Sequence, residues 1–190
     1  MKAIFSAAVA LTLALSGSVR AQPPGAAAKR NGGKKAPEVR QSVKEGDTVP
    51  MFALNEFGRD FVFLRKYCGK NRKDPAVKAV LLDFFATDCT ACVAKLEGIQ
   101  ALAAEHAPGL KTFLISIDPK PEEALPGFIK EKNITLPVLT DMYRKTLSNF
   151  GFRTVPQTVL LDGECRAVYV AKKTDQGITR IKARLKTLLK

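Results

Sequence analysis

The distribution of apolar and polar positions along this chain predicts strands and helices in alternation. Residues 79–85 and 111–117 are apolar at consecutive positions, which is typical of strands covered on both faces of a parallel sheet. Between them, residues 91–105 carry apolar side chains at helical spacing. A further helix is predicted over 121–132, because proline suits its first turn and acidic residues follow at the positive end of the helix dipole.

The segments on either side of this central part predict hairpins and shorter elements. One hairpin joins 50–54 to 61–64, and another joins 158–162 to 166–170 across an Asp-Gly turn. The other predicted elements are a short extended piece, a short helix and an amphipathic C-terminal helix, over 136–140, 142–149 and 178–188. This order of elements places the chain in the α/β class, as a mixed central sheet flanked by helices on both faces.

The N-terminal region differs in composition from the rest of the chain. Residues 1–21 have a basic start, an apolar stretch over 3–15 and small residues near the end, as cleaved export signals do. The alternative is a retained membrane anchor, for which the apolar stretch is short. Residues 22–45, rich in Pro, Gly, Ala and Lys, predict a disordered basic linker. We therefore expect a folded domain over 46–190 that is periplasmic or secreted.

The net charge of +13 is concentrated at the two ends of the chain. Residues 22–45 carry six basic side chains against two acidic ones, and residues 172–190 carry seven against one. Such ends would support weak electrostatic association with an anionic membrane or an acidic partner, although solvated tails are the simpler interpretation. Nucleic-acid binding is not expected, because the chain has no basic–aromatic patch and no motif for it.

The segment with the most chemical content is Cys89-Thr90-Ala91-Cys92, which lies between the strand 79–85 and the helix that follows. Residues three apart lie on the same side of the first turn of a helix, so the two sulfurs can meet. Unpaired N–H groups and the positive end of the helix dipole stabilise a thiolate at the first cysteine. The pattern predicts a redox-active disulfide between Cys89 and Cys92. The alternatives are a permanently closed disulfide or half of a metal site.

An acidic residue, Asp83, lies within this apolar strand, six residues before Cys89. Burial of a carboxyl in such a strand raises its pKa through desolvation, and the raised value suits proton transfer near neutral pH. The alternative is a polar residue on an exposed face of the strand.

Two further cysteines, Cys68 and Cys165, fall in predicted connections between elements. In an exported chain all four cysteines can be oxidised. Cys68 and Cys165 could form a structural disulfide that contributes a few kcal/mol to stability. Alternatively both are free, or Cys68 passes electrons to the Cys-X-X-Cys segment.

These features resemble thioredoxin-fold proteins, in particular the exported TlpA/ResA-like thiol–disulfide oxidoreductases with an AhpC/TSA-Redoxin-like domain. The resemblance covers 46–190. It includes the N-terminal hairpin, the strand before Cys-X-X-Cys, an inserted helix and strand at 121–140, and Val155-Pro156 before a strand. It implies that Cys89 attacks a substrate disulfide and that Cys92 resolves the mixed disulfide.

The same resemblance implies further site residues. Pro156 resembles the cis-proline that faces the dithiol, and Val155 would present its backbone to an extended substrate. Asp83 matches the buried aspartate of thioredoxins that accepts a proton from the resolving thiol. Thr90 and Ala91, between the cysteines, are expected to contact substrate. The resemblance implies no metal ligands and no cofactor.

The chain departs from the family pattern beside and between the two cysteines. Asp88 stands where relatives often have Trp, and the chain contains no Trp. A carboxylate there opposes thiolate formation at Cys89, which favours the oxidised protein and a more reducing site. The pair Thr90-Ala91 lacks the proline and the histidine that are common between such cysteines, so a powerful oxidase is not expected.

The sequence therefore predicts an exported, monomeric thiol–disulfide oxidoreductase that reduces or exchanges disulfides in client proteins. Its electrons would come from a membrane-borne dithiol, and relatives typically serve cytochrome c maturation or oxidative-stress defence. One alternative is a Cu(I)-handling protein, because soft thiolates select that ion. Another is a thiol peroxidase of the peroxiredoxin type.

Overall fold

The computed structural model describes residues 41–171 and 177–190. The strands within these residues are β1 (Ala53–Glu56), β2 (Phe61–Phe63), β3 (Ala79–Phe85), β4 (Leu110–Ser116), β5 (Val138–Thr140), β6 (Gln157–Asp162) and β7 (Ala167–Val170). The helices are α1 (Thr90–Glu105), α2 (Pro121–Glu131), α3 (Lys145–Asn149) and α4 (Gly177–Leu188). The strands form one sheet in the order β2-β1-β5-β4-β3-β6-β7.

The sheet is mixed, as predicted, because parallel and antiparallel pairs meet at its centre. β3 pairs in parallel with β4 and antiparallel with β6, and β4 pairs in parallel with β5. Every residue of β3 is buried, which explains its near-continuous apolar sequence. The carboxyl ends of β3, β4 and β5 therefore lie at one edge of the sheet.

Two hydrophobic cores cover the two faces of this sheet. Along β3, Val80, Leu82 and Phe84 belong to one core, whereas Leu81 and Phe85 belong to the other. The first core includes buried side chains of α3, and the second includes buried side chains of α1, α2 and α4. Helices thus lie on both faces, which confirms the predicted fold class.

The alternation along β3 also fixes the direction of Asp83. Successive side chains of a strand point to opposite faces, so Asp83 shares a face with Leu81 and Phe85. That face is the one that α1 covers, since Cys92 and Leu96 of α1 belong to the same core. The strand therefore directs its single acidic residue toward the helix that carries the cysteines.

The prediction of a helix over 142–149 is wrong for its first three residues. α3 begins at Lys145, because the buried Asp141 carboxylate accepts hydrogen bonds from the N–H groups of Thr146 and Leu147 and so caps the helix there. Arg144, just before the helix, has a left-handed backbone with φ of 53°. The intervening residues form a turn.

The first hairpin is displaced along the chain relative to its prediction. β1 begins at Ala53 rather than at residue 50, and it extends to Glu56. Pro50 has no N–H group to donate to a strand partner, and the ladder begins beyond it. The second hairpin and the central strands match their predictions to within one residue.

Two residues from the end of the predicted linker, Ser42 and Val43, contact the domain. Val43 is buried and donates its N–H to the carbonyl of Phe150 at 2.9 Å. The hydroxyl of Ser42 donates to the carbonyl of Gly151 at 2.7 Å. The predicted signal over 1–21 and most of the predicted linker lie outside the described residues. Within the described ranges, no helix is long and apolar enough to cross a bilayer.

Candidate active site

The chain passes from β3 into α1 through a short turn that places the first cysteine at the mouth of the helix. Cys89 is the N-cap residue of α1, with an extended backbone. Its sulfur accepts a hydrogen bond from the N–H of Cys92 at 3.1 Å, and its carbonyl accepts from the N–H of Val93 at 3.0 Å. The N–H of Cys92 also donates to the carbonyl of Cys89 at 2.9 Å, so this N–H group is shared between the carbonyl and the sulfur, where it stabilises negative charge.

The two cysteines form a disulfide in the structure, and they differ in accessibility. Their Cα atoms lie 5.2 Å apart. Cys89 is partly exposed, whereas Cys92 is 0% exposed and belongs to the core beneath α1. Of the two cysteines, Cys89 is thus the one that contributes to the surface of the protein. Thr90 and Ala91, predicted to contact substrate, are both exposed.

The turn before Cys89 is held to the next strand by a buried carboxylate. The backbone N–H of Thr87 lies 3.2 Å from one oxygen of Asp118, and the Thr87 hydroxyl donates to the same oxygen at 2.9 Å. The hydroxyl of Ser116, the last residue of β4, donates to the other oxygen at 2.7 Å. Asp118, at the carboxyl end of β4, thus holds in place the turn that leads into Cys89.

Asp83 is fully buried, so the alternative of a polar residue on an exposed face of the strand is wrong. Lys95 of α1 donates to its Oδ1 atom at 2.5 Å, and the hydroxyl of Thr158 donates to the same atom at 2.7 Å. Lys95 also donates to the Thr158 oxygen at 2.7 Å, which closes a three-residue cluster. The second carboxyl oxygen, Oδ2, is buried and has no hydrogen-bond partner among the described residues.

Burial raises the pKa of Asp83 above its ordinary value of 3.8, because desolvation penalises the carboxylate. The charge of Lys95 and the hydrogen bonds from Lys95 and Thr158 lower the pKa, and they offset only part of the desolvation. A carboxyl in this condition can hold a proton at a higher pH than an exposed aspartate can. The predicted raised pKa is confirmed in direction.

Val155 and Pro156 lie at the same edge of the sheet as the dithiol. The bond between them is cis, as the resemblance implied. Pro156 is followed directly by β6, whose first residue, Gln157, is in register with Phe84 near the end of β3. Val155 is half-buried and packs against both cores, as Cys89 does. The structure therefore brings the predicted substrate-facing residues to the edge that carries Cys89.

Cys68 and Cys165 form a second disulfide, which selects one of the three alternatives. Both are buried, at 1% and 0% exposure. Cys165 lies in the turn after β6, whose last residue is in register with Ala79 at the start of β3. The length of β3, about 20 Å at some 3.3 Å per residue, separates this disulfide from Cys89. This disulfide therefore lies away from the dithiol, at the other end of β3.

Three polar residues of the site escaped sequence reasoning. Lys95 had a signal, because it follows Cys92 by three positions and so shares its helix face. Asp118 directly follows a buried strand at the edge where Cys89 lies, which is a usual position for a functional acid. Thr158 had no signal of its own, since only the register of β6 against β3 places it beside Asp83.

No group of three or more potential metal-ligating side chains occurs in the part of the chain that the structure describes.

The sequence profile of the AhpC/TSA family matches residues 33–170. The chain belongs to the AhpC/TSA family. This membership agrees with the resemblance found in the sequence.

Similar proteins agree with this family membership. The chain is 22% identical over 142 residues to thiol-disulfide oxidoreductase ResA of Halalkalibacterium halodurans, covering 73% of this chain and 76% of that protein. It is 25% identical over 136 residues to thioredoxin-like protein YneN of Bacillus subtilis, covering 70% and 75%. Among solved structures, a candidate thiol:disulfide interchange protein DsbE from Chlorobium tepidum superposes with a TM-score of 0.67 at 21% identity. That match covers 78% of this chain and 100% of the other, which confirms the thioredoxin fold.

Proposed function

We propose that this protein is a thiol–disulfide oxidoreductase that uses Cys89 and Cys92 to reduce or exchange disulfides in client proteins. One observation carries the proposal. Cys89 is partly exposed, its sulfur lies at the N-terminus of α1 and accepts an N–H hydrogen bond, and its disulfide partner Cys92 is completely buried. This asymmetry suits an attacking thiolate and a protected resolving thiol.

The reaction proceeds in two exchanges. The Cys89 thiolate attacks a client disulfide, forms a mixed disulfide and releases one client thiolate. Cys92 then loses its proton, attacks the Cys89 sulfur and releases the second client thiolate. The client gains two electrons, and the protein dithiol becomes the Cys89–Cys92 disulfide. Asp83 supplies the base for the second exchange, and Val155 offers its backbone to an extended client segment beside Pro156.

The wider setting of the reaction belongs to the proposal as well. The signal-like segment 1–21 supports export to the periplasm or beyond, where a membrane-borne dithiol would return the protein to its reduced form. Reduction of apocytochrome or of oxidatively damaged proteins would be the corresponding roles. The protein would act as a monomer, with weak membrane association through its basic ends.

The test is turnover of a protein disulfide, with insulin as substrate and dithiothreitol as electron donor. Cys89→Ser is expected to abolish reduction. Cys92→Ser is expected to accumulate a mixed disulfide that is visible by mass spectrometry under non-reducing conditions. Undiminished turnover by the Cys89→Ser variant would refute the assignment. Two parallel measurements, stoichiometric Cu(I) binding and peroxide consumption with a thiol donor, would identify the two alternative functions if insulin reduction were absent.

A further inference from the structure

The large apolar side chains that the described residues expose include two that are neighbours in the chain. Met142 and Tyr143 lie in the turn between β5 and α3, and Tyr143 is 84% exposed while Met142 is 40% exposed. Single exposed apolar residues are common on protein surfaces and need no explanation. An aromatic ring and a thioether side by side on one short turn form a candidate contact surface.

The backbone of this turn is held to the sheet and closed on itself. The N–H of Asp141 donates to the carbonyl of Ser116 at 2.8 Å, and the N–H of Arg144 donates to the carbonyl of Asp141 at 2.7 Å. The buried carboxylate of Asp141 accepts from two N–H groups of α3. Met142 and Tyr143 therefore stand on a fixed turn, and a preorganised contact loses less chain entropy on binding.

The turn lies at the same edge of the sheet as the dithiol. Neighbouring strands are about 4.8 Å apart, so the end of β5 is about 10 Å from the end of β3 along this edge. Hydrogen bonds cross this distance. Asp141 donates to the carbonyl of Ser116, whose hydroxyl donates to Asp118. Asp118 in turn accepts from Thr87, two residues before Cys89. The exposed pair and the attacking cysteine thus belong to one connected edge.

A protein that forms a mixed disulfide with Cys89 must lie across this edge. A standard protein–protein interface buries about 800 Å² on each partner, which equals a disc of about 16 Å radius. A disc of that size around Cys89 includes the turn after β5. Phe61, another exposed aromatic residue, lies on β2, four strands from β3 and so about 19 Å away along the sheet. Tyr143 is therefore within reach of a bound partner, and tyrosine is a residue type that contributes strongly to interfaces.

The charges next to the exposed pair indicate the chemistry of the partner. Arg144 and Lys145, which follow Tyr143, are exposed, and neither has an ion-pair partner among the described residues. Such unpaired cations favour an acidic partner. The exposed Asp88 would repel an acid placed directly beside Cys89. The distance of about 10 Å to the turn corresponds to about three residues of extended chain, so the acidic residue is expected there.

We propose that Met142, Tyr143 and Arg144 form a docking surface for an extended client segment with an acidic residue about three positions from its reacting cysteine. Tyr143 and Met142 contact apolar groups of the segment, and Arg144 pairs with the acid. This inference rests on the proposed function and gives it a class of client, namely proteins whose target cysteine lies in an acidic segment.

The test compares disulfides that differ only in the client segment. Short synthetic peptides carry a central cysteine as its thiopyridyl disulfide, with glutamate, glutamine or lysine about three residues away on each side. The Cys89 thiolate of the reduced protein attacks the peptide sulfur. The bond to the thiopyridyl group breaks, and thiopyridone leaves with the electron pair and takes a proton from water. Its absorbance in stopped flow gives the second-order rate constant. Dithiodipyridine, which has the same leaving group and no peptide, reports the reactivity of Cys89 itself in each variant.

The wild type is expected to react about tenfold faster with the glutamate peptide than with the lysine peptide at low salt, and the difference should shrink at high salt. Relative to dithiodipyridine, Tyr143→Ser should slow the glutamate peptide about fivefold. Arg144→Asn removes the charge and keeps a residue type that tolerates the left-handed backbone at this position. This variant should lower the preference for glutamate over lysine about threefold.

Two matched variants control for effects that do not depend on the turn. Phe61→Ser removes an exposed aromatic ring on β2, and Lys78→Gln removes an exposed charge at the opposite end of β3 from Cys89. Both should keep the wild-type ratio of peptide to dithiodipyridine rates and the wild-type preference for glutamate. Lys78→Gln also tests whether the net charge of +13, rather than Arg144, sets that preference.

Four results would contradict the docking surface. The glutamate and lysine peptides could react equally fast with the wild type, or Tyr143→Ser and Phe61→Ser could slow the glutamate peptide equally. Arg144→Asn could keep the full preference for glutamate. Finally, Tyr143→Ser could lose binding to vesicles of phosphatidylglycerol and phosphatidylcholine while its peptide rates stay unchanged, which would assign the turn to a membrane surface.

These results are distinguishable from a failure of the proposed function. In each of them the wild type would still release thiopyridone, and Cys92 would then release free peptide, which mass spectrometry detects. A reduced wild type that stayed joined to the peptide, with no free peptide formed, would instead refute the dithiol mechanism.

Discussion

The hydroxyl of Thr158 donates a hydrogen bond to the buried carboxyl of Asp83 at 2.7 Å, and the two residues are direct register partners on β6 and β3. Directly opposed side chains on neighbouring strands lie within contact distance, so this bond is set by the pairing of the strands. β6 is also the strand that follows Pro156. The register that brings Pro156 to the same edge of the sheet as the dithiol thus also provides a hydroxyl partner for the buried carboxyl of Asp83.

Asp83 is expected to make stability depend on pH. Its pKa is raised in the folded protein, so its contribution is fully present below the unfolded-state value of about 3.8 and is lost as pH rises through the folded-state value. Asp83→Asn keeps an oxygen acceptor for Thr158 and Lys95 and removes the ionisation. The oxidised variant should gain stability relative to wild type as pH rises from about 4 toward neutral. Urea unfolding of both proteins across this range measures the difference, and a constant difference would contradict the expectation.

The exposed carboxylate of Asp88 is expected to make the dithiol more reducing. It immediately precedes Cys89, where negative charge opposes the thiolate and so disfavours the reduced form. Asp88→Asn should therefore raise the reduction potential by roughly 5–20 mV, equivalent to a few tenths of a kcal/mol up to about 1 kcal/mol. Equilibration against glutathione, followed by mass spectrometry of trapped thiols, gives the potential. Asp60→Asn, an exposed acid in the first hairpin, is the control, and a fall in potential for Asp88→Asn would contradict the argument.

The sequence was sufficient to predict the parts of the site whose geometry is local. Cys89 and Cys92 are three residues apart at the start of a helix, so the spacing alone brings their sulfurs together. Asp83 stood out because an acidic residue interrupts an apolar strand. The family resemblance supplied Pro156, whose cis bond has no signal in hydrophobic periodicity.

Other parts of the site depend on contacts between distant segments, which a single sequence does not contain. The disulfide between Cys68 and Cys165 joins residues 97 apart in the sequence. Both cysteines lie in connections between predicted elements, and the sequence does not say where those connections run. It therefore could not distinguish a structural disulfide from free cysteines or from electron transfer through Cys68. Sequence reasoning did not single out Lys95, because its spacing to Cys92 gives its helix face but not its hydrogen-bond partner on another element. Its partner became visible only when β3 and α1 were seen face to face.

The disulfide between Cys68 and Cys165 is expected to stabilise the fold without taking part in exchange. It closes a long loop, with a sequence separation of 97, so its removal should lower the free energy of unfolding by about 2–5 kcal/mol. The double variant Cys68→Ala with Cys165→Ala avoids leaving a lone thiol that could attack the active disulfide. Urea unfolding measures stability, and insulin reduction at a temperature where the variant is folded measures activity. Loss of turnover in the folded variant would show that this disulfide belongs to the catalytic cycle.

Gly151 is expected to hold the segment that precedes the first strand against the domain. Its φ is +73°, and a Cβ atom there would lie 2.6 Å from the carbonyl oxygen of Gln41 and 2.6 Å from the Cα of Ser42. Gly151→Ala should therefore destabilise the protein by about 1–3 kcal/mol, through backbone strain and displacement of residues 41–43. Gly127→Ala is the matched control, because Gly127 lies in α2 with no atom within 4 Å of a Cβ, and alanine should stabilise that helix by about 0.5–1 kcal/mol. Urea unfolding of both variants should show shifts of opposite sign in the free energy of unfolding. Faster amide exchange at Val43 in Gly151→Ala alone would locate the effect in residues 41–43. Equal stability of the two variants would show that the close approach of these residues to Gly151 does not constrain the fold.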